Sequence, residues 1–124
     1  MTRKLLIADD EPNILISLEY LLKREGYQVA VARDGQEALD AVGRDCPDLL
    51  LLDVMMPRKN GFEVCQALRA DERFGALKIL MLTAKGRDTD VAKGQALGAD
   101  AYMTKPFSTR ELVQKIADML EARA

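Results

Sequence analysis

Four runs of four apolar residues punctuate the chain: Leu5 to Ala8, Val29 to Ala32, Leu49 to Leu52 and Ile79 to Leu82. A weaker fifth follows at Ala101 to Met103. Uninterrupted apolar runs of this length predict strands covered on both faces, the signature of a parallel sheet, whereas a half-exposed strand would alternate apolar with polar. The intervals hold 20, 16, 26 and 18 residues, each long enough for the helical crossover that a parallel connection requires. They also carry helix marks. In the first, Ile14, Leu15, Leu18, Leu21 and Leu22 recur at helical spacing, with Pro12 suited to a first turn and Gly26 just past the end. Asp34 with Glu37, Asn60 with Glu63 and Ser108 with Glu111 each set a capping side chain three residues before a glutamate, which predicts three helix starts. The last helix runs through Leu112, Val113, Ile116, Met119 and Leu120. A helix from about Asp88 to Leu97 is the least favoured, because Gly94 inside it costs ~1 kcal/mol relative to alanine; Gly98 would end it. The pattern is β-α five times over, and right-handed crossovers then predict an α/β fold, a three-layer α/β/α sandwich around one five-stranded parallel sheet.

The length of 124 residues suits one domain, residues 1–124, and no internal repeat, low-complexity tract or linker marks a second. Eighteen basic against twenty acidic side chains leave a formal charge of −2, which argues against direct nucleic-acid binding or a polybasic membrane anchor. With no apolar run beyond four residues, no membrane span or signal peptide is expected. Cys46 and Cys65 lie nineteen positions apart and histidine is absent, so thiol-imidazole catalysis, a histidine-ligated zinc and a disulfide framework all lack support.

Ligands of an open parallel sheet bind at the carboxyl ends of its strands. Asp9, Asp10 and Glu11 follow the first run, Asp53 the third, Thr83 the fourth, and Thr104, Lys105 and Pro106 the fifth. Carboxylates gathered in a partly buried crevice repel one another and rise in pKa unless cations compensate. A hard divalent ion such as Mg²⁺, together with Lys105, fits that need, and Mg²⁺ keeps sites for phosphate oxygens. Asp53 is the candidate nucleophile, able to form an aspartyl phosphate, with Thr83 donating to one phosphoryl oxygen and Lys105 neutralising another.

These residues resemble the receiver domains of two-component response regulators, including the stand-alone chemotaxis type. The likeness spans essentially the whole chain. It rests on Ala8-Asp9-Asp10-Glu11, on Asp53-Val54-Met55-Met56-Pro57 continuing to Gly61, on Thr83-Ala84, on Gly98-Ala99-Asp100-Ala101-Tyr102 and on Lys105-Pro106-Phe107. The resemblance implies a flavodoxin-like strand order 2-1-3-4-5. It implies that Asp53 accepts the phosphoryl group, that Asp9, Asp10, Asp53 and the Met55 carbonyl hold Mg²⁺, and that Thr83 and Lys105 contact phosphoryl oxygens. Within the acidic pair, Asp10 is the expected direct ligand. A cis Lys105–Pro106 bond and a switch through Thr83 and Tyr102 are implied too, with Ala84 small enough to leave room.

The resemblance further implies a cytoplasmic phosphoprotein that catalyses its own phosphorylation and dephosphorylation rather than a turnover enzyme. Its donor would be a separate histidine kinase or histidine phosphotransfer domain, since the chain has no histidine. Docking is expected on the first helix, where Ile14, Leu15 and Leu18 offer apolar surface beyond what the core needs. Output is expected through the fourth helix, fifth strand and fifth helix to a downstream protein, as a monomer or a phosphorylation-dependent dimer. Met55 and Lys85 flank the expected path of a hydrolytic water without a carboxamide to orient it, which predicts a long-lived phosphoryl state. Three other classes remain. A dehalogenase-like phosphatase wants a second acid where Met55 stands, and a flavodoxin-like cofactor binder would meet repulsion from Asp9-Asp10-Glu11. The third is a receiver-like module that is never phosphorylated. At this length the chain is either a complete single-domain regulator or a receiver cut from a longer protein.

Overall fold

The computed structural model describes residues 2–84 and 88–121. Five strands, β1 (Lys4–Ala8), β2 (Gln28–Ala32), β3 (Leu49–Asp53), β4 (Lys78–Ala84) and β5 (Ala101–Lys105), alternate with five helices. These are α1 (Pro12–Arg24), α2 (Gly35–Arg44), α3 (Gly61–Arg69), α4 (Asp88–Ala96) and α5 (Thr109–Glu121), and a short 3₁₀ turn, Glu72–Phe74, precedes β4. All strand pairs are parallel and the order is β2-β1-β3-β4-β5, as the resemblance implied.

The helix starts follow the capping pairs. Asp34 accepts the Glu37 N–H, Asn60 and Glu63 form a reciprocal capping box, and the Ser108 hydroxyl accepts the Glu111 N–H. Helix α1 lacks a side-chain cap and begins at Pro12, while the Asp9 carboxylate takes the Glu11 N–H. Side chains alternate along each strand, so the sheet divides the core in two. Leu6, Leu50, Leu52, Ile79 and Met81 pack against α2 and α3. Leu5, Ile7, Leu49, Leu51, Leu80 and Leu82 pack against α1 and α5.

Two features depart from expectation. The Val29–Ala32 run is not covered on both faces: β2 is an edge strand, bonded to β1 alone, and Ala30 is exposed. The other edge, β5, also alternates in exposure, because an edge lacks one neighbour's worth of cover. On α1, Leu15 and Leu18 are core residues and Ile14 packs partly against the same cluster, so none is spare surface. The exposed apolar side chains of that helix are Ile16, 65% accessible, and Tyr20, 67%, one turn apart on the outer face. At the carboxyl ends of the strands, Asp53 and Lys105 are the last residues of β3 and β5, and Thr83 is the next to last of β4. Strand hydrogen bonding thereby fixes their backbones.

Candidate functional site

The register of the central strands sets the site. Ala8 pairs with Leu52 and Asp53 with Leu82, so Asp9 stands level with Asp53 at the carboxyl edge of the sheet. Alternation puts Asp9, Asp53 and Lys105 on the face shared with Leu51 and Met103. Thr83 and Tyr102 have the opposite parity and turn toward α4. The residues singled out in the sequence therefore form one charged centre and one adjoining cleft.

In the centre, the Lys105 ammonium lies 3.0 Å from Asp9 Oδ2 and 3.3 Å from Asp53 Oδ1. Asp9 is fully buried and Asp53 only 6% accessible, whereas Asp10 is exposed. Carboxylate oxygens from Asp9, Asp10 and Asp53 come within 4.8 Å of one another. Burial, and then the charge of Asp9, push the Asp53 carboxyl up to about 6, although the Lys105 ammonium and the Met55 N–H favour its ionised form. Burial would pull Lys105 down, but its hydrogen bond to Asp9 and the charges of both carboxylates outweigh this and hold it above the ordinary lysine range. Three acids thus face one ammonium, a surplus of negative charge in a small volume. Such a set of hard oxygen donors suits a divalent cation.

The loop after β3 closes the floor. Val54 N–H donates to Leu82 O, and Gly61 N–H donates back to Val54 O. Gly61 passes so near the strand end that a Cβ there would lie 2.5 Å from the Asp53 carbonyl oxygen. Between them, Arg58 holds φ 68°, a left-handed conformation, and its guanidinium stands 3.8 Å from Asp34 at the start of α2. The Met55 side chain points out to solvent, 61% accessible, beside the acidic cluster. Lys85, named above with Met55, lies outside the described residues. The Lys105–Pro106 peptide is cis.

In the cleft, the buried Thr83 hydroxyl donates to Met103 O across 3.5 Å, the long limit of a hydrogen bond. Tyr102, 42% accessible, lines the same narrow space, with Val91 and Gly94 of α4 opposite. Ala84 is exposed just beyond. Asp90 of α4 is buried in this lining as well. Nothing in the residue pattern singles out Asp90, since a helix with so few apolar residues does not declare which face turns inward.

Comparison with known proteins agrees with this geometry. The profile of the response regulator receiver domain matches residues 5–117. The chain is 48% identical over 120 residues to the alkaline phosphatase synthesis transcriptional regulatory protein PhoP of Bacillus subtilis (strain 168), covering 97% of this chain and 49% of that protein. It therefore spans about half the length of that curated relative. Among solved structures, a CheY-like response regulator receiver domain protein from Methanospirillum hungatei JF-1 superposes with a TM-score of 0.91 at 30% identity, covering 98% and 95% of the two chains. The chemotaxis protein CheY4 of Vibrio cholerae does so with 0.88 at 32%, covering 94% and 98%. Strand order, the acidic cluster with its lysine, and these matches agree that the chain belongs to the receiver domain family of two-component response regulators.

Proposed function

We propose that Asp53 is a phosphoacceptor, taking a phosphoryl group from a phosphohistidine on a partner kinase or phosphotransfer domain in a Mg²⁺-dependent reaction. The observation that carries this is one buried, lysine-paired carboxylate at the sheet edge with two further carboxylates within 4.8 Å. Asp9, Asp10, Asp53 and the Met55 carbonyl would hold the ion. Both Asp9 oxygens are already engaged, one by Lys105 and one by the Glu11 N–H, which leaves exposed Asp10 as the direct ligand and Asp9 as a partner through water. Bound Mg²⁺ supplies the positive charge that lets these carboxylates accept an incoming phosphoryl dianion.

The chain's own groups do the rest. A carboxyl held near 6 is ionised at neutral pH, yet its oxygen is more basic than that of an ordinary aspartate. An Asp53 oxygen bonds to phosphorus as the bond from phosphorus to the donor imidazole nitrogen breaks, and the nitrogen keeps the electron pair. Lys105 stands where it can neutralise a phosphoryl oxygen. The Thr83 hydroxyl gives up only a long hydrogen bond to Met103 O when it turns to another such oxygen. Tyr102 shares the space that Thr83 would vacate, which couples the site to α4, β5 and α5 and through them to a downstream protein, as a monomer or a phosphorylation-dependent dimer. We read residues 1–124 as one receiver unit. Whether it works alone or as part of a longer chain, the acceptor step is the same.

Incubation with Mg²⁺ and acetyl phosphate or phosphoramidate will add the mass of one phosphate, base-labile and absent from Asp53→Asn. An unaltered mass, or continuous turnover of a simple phosphate ester, overturns the proposal. The apolar, solvent-facing Met55 offers nothing to orient a hydrolytic water, so the adduct will persist for much longer than seconds.

A further inference from the structure

Helix α4 is held differently from the other helices. Helix α5 buries Leu112, Ile116, Met119 and Leu120, whereas the described side chains of α4 bury only Asp90 and Gly94. The contacts that compensate sit in its carboxyl-terminal half. Gly94 rests on Met81, where a Cβ would lie 2.7 Å from the sulfur, and the Lys93 ammonium stands 4.6 Å from the centre of the Phe62 ring. The helix then closes in a Schellman motif: Gly98, at φ 103°, donates to Gln95 O, and Ala99 donates to Gly94 O.

That motif leaves the carbonyls of Leu97 and Gly98 to be satisfied from elsewhere, and α3 supplies both donors. Cys65 Sγ lies 3.6 Å from Leu97 O, and one turn later Arg69 Nε donates to Gly98 O at 2.8 Å. The same guanidinium donates to Phe74 O at 3.2 Å and to Asp100 Oδ2 at 2.7 Å. Asp100 also accepts the Ile79 N–H, which ties the grip to the start of β4. The Arg69 stem lies flat on Gly98, leaving no room for a Cβ. One side chain, four-fifths buried, thus joins α3, the 3₁₀ turn and the α4–β5 turn.

We propose that Arg69 anchors the carboxyl-terminal end of α4 as a fixed pivot, so that the movable end is the amino-terminal one, nearest Thr83. The anchorage stands on the contacts alone; the direction of movement rests on the phosphoacceptor reading above. A lysine cannot replace this fork, because three differently directed acceptors need a planar, multi-donor group.

Residue-resolved amide exchange on the full chain separates the two parts. In ligand-free Arg69→Met, which keeps a stem to cover Gly98, exchange at Leu97 to Asp100 will rise about tenfold or more, the scale of one lost charged hydrogen bond. Protection in β1 and β3 will stay as in wild type. Arg69→Lys will fall between. With Mg²⁺ and beryllofluoride as the phosphoryl mimic, wild-type changes will be larger at the Ala92 and Lys93 amides, which in helical geometry bond back to the first turn, than at Leu97 to Asp100, and in Arg69→Met the two will become comparable. Less than a twofold rise at Leu97 to Asp100 in the ligand-free variant overturns the anchorage. Wild-type changes concentrated at Leu97 to Asp100 overturn the pivot. If the mimic perturbs no amide at all, including those beside Asp9 and Asp53, the phosphoacceptor reading and the pivot fall together, and the ligand-free comparison still decides the anchorage.

Discussion

An acidic group kept ionised at a buried rim weakens the fold that carries it, and Asp53 lets this be measured. Its carboxyl rises from 3.8 in the ordinary state to about 6 in the folded chain. Below 3.8 the proton is bound in both states, and folding gains nothing from pH. Between 3.8 and 6 the unfolded chain releases the proton while the folded chain retains it, so stability falls as pH rises, and above 6 the full penalty stands. At 1.36 kcal/mol per unit, a rise of roughly two units is worth about 3 kcal/mol at most, the coupling to Asp9 and Lys105 making this a ceiling. An asparagine in its place would have the shape and neutrality of the protonated acid. In metal-free buffer Asp53→Asn should therefore be more stable than wild type by about 2 kcal/mol at about pH 8, and nearly equal at about pH 4. For a chain of this size that corresponds to a rise in Tm of roughly 5–10 °C. Paired urea and thermal melts in chelator test it, since other titrating groups cancel between the two proteins. An asparagine variant no more stable than wild type at the higher pH, or a gap that does not shrink on acidification, refutes the electrostatic account. Adding Mg²⁺ should then stabilise wild type and leave the variant almost unmoved.

Other substitutions probe neighbouring contacts. Lys105→Met leaves buried Asp9 beside Asp53 without its ammonium and should cost about 2 kcal/mol or more without metal, partly recovered by Mg²⁺; a loss below about 0.5 kcal/mol in urea melts would count against the pairing. Gly61→Ala drives a methyl into the Asp53 carbonyl and Val54, so a loss of about 1–3 kcal/mol is expected together with weaker Mg²⁺ binding by calorimetry. Ile16→Ala with Tyr20→Ala should alter stability by no more than about 0.5 kcal/mol yet slow phosphotransfer from a cognate kinase. Leu18→Ala should instead cost about 2–5 kcal/mol, as for any core leucine. Transfer at the wild-type rate by the exposed double variant would remove that face from the docking surface.

The amino-acid order by itself determined the five strands, their parallel arrangement and the helix starts, because apolar runs, crossover lengths and capping pairs are local features. It also determined which chemistry gathers at the strand ends, since Asp9, Asp53 and Thr83 follow their runs directly and Lys105 stands two positions past the fifth. The exposure of β2 was hidden, because Val29 to Ala32 is as apolar as a central strand and only its place at the sheet edge uncovers it. The outer face of α1 was legible but misassigned: the helical spacing of Ile14, Leu15, Leu18, Leu21 and Leu22 already marks the buried stripe and leaves Ile16 and Tyr20 outside it, so the docking surface expected on Leu15 and Leu18 belongs to the core. Register decided that Asp9, Asp53 and Lys105 share one face while Thr83 and Tyr102 take the other. The grip of Arg69 on Gly98 and Asp100 joins residues about thirty positions apart. No local pattern encodes such a contact, because its partners meet only once the sheet has fixed the distance between α3 and the α4–β5 turn.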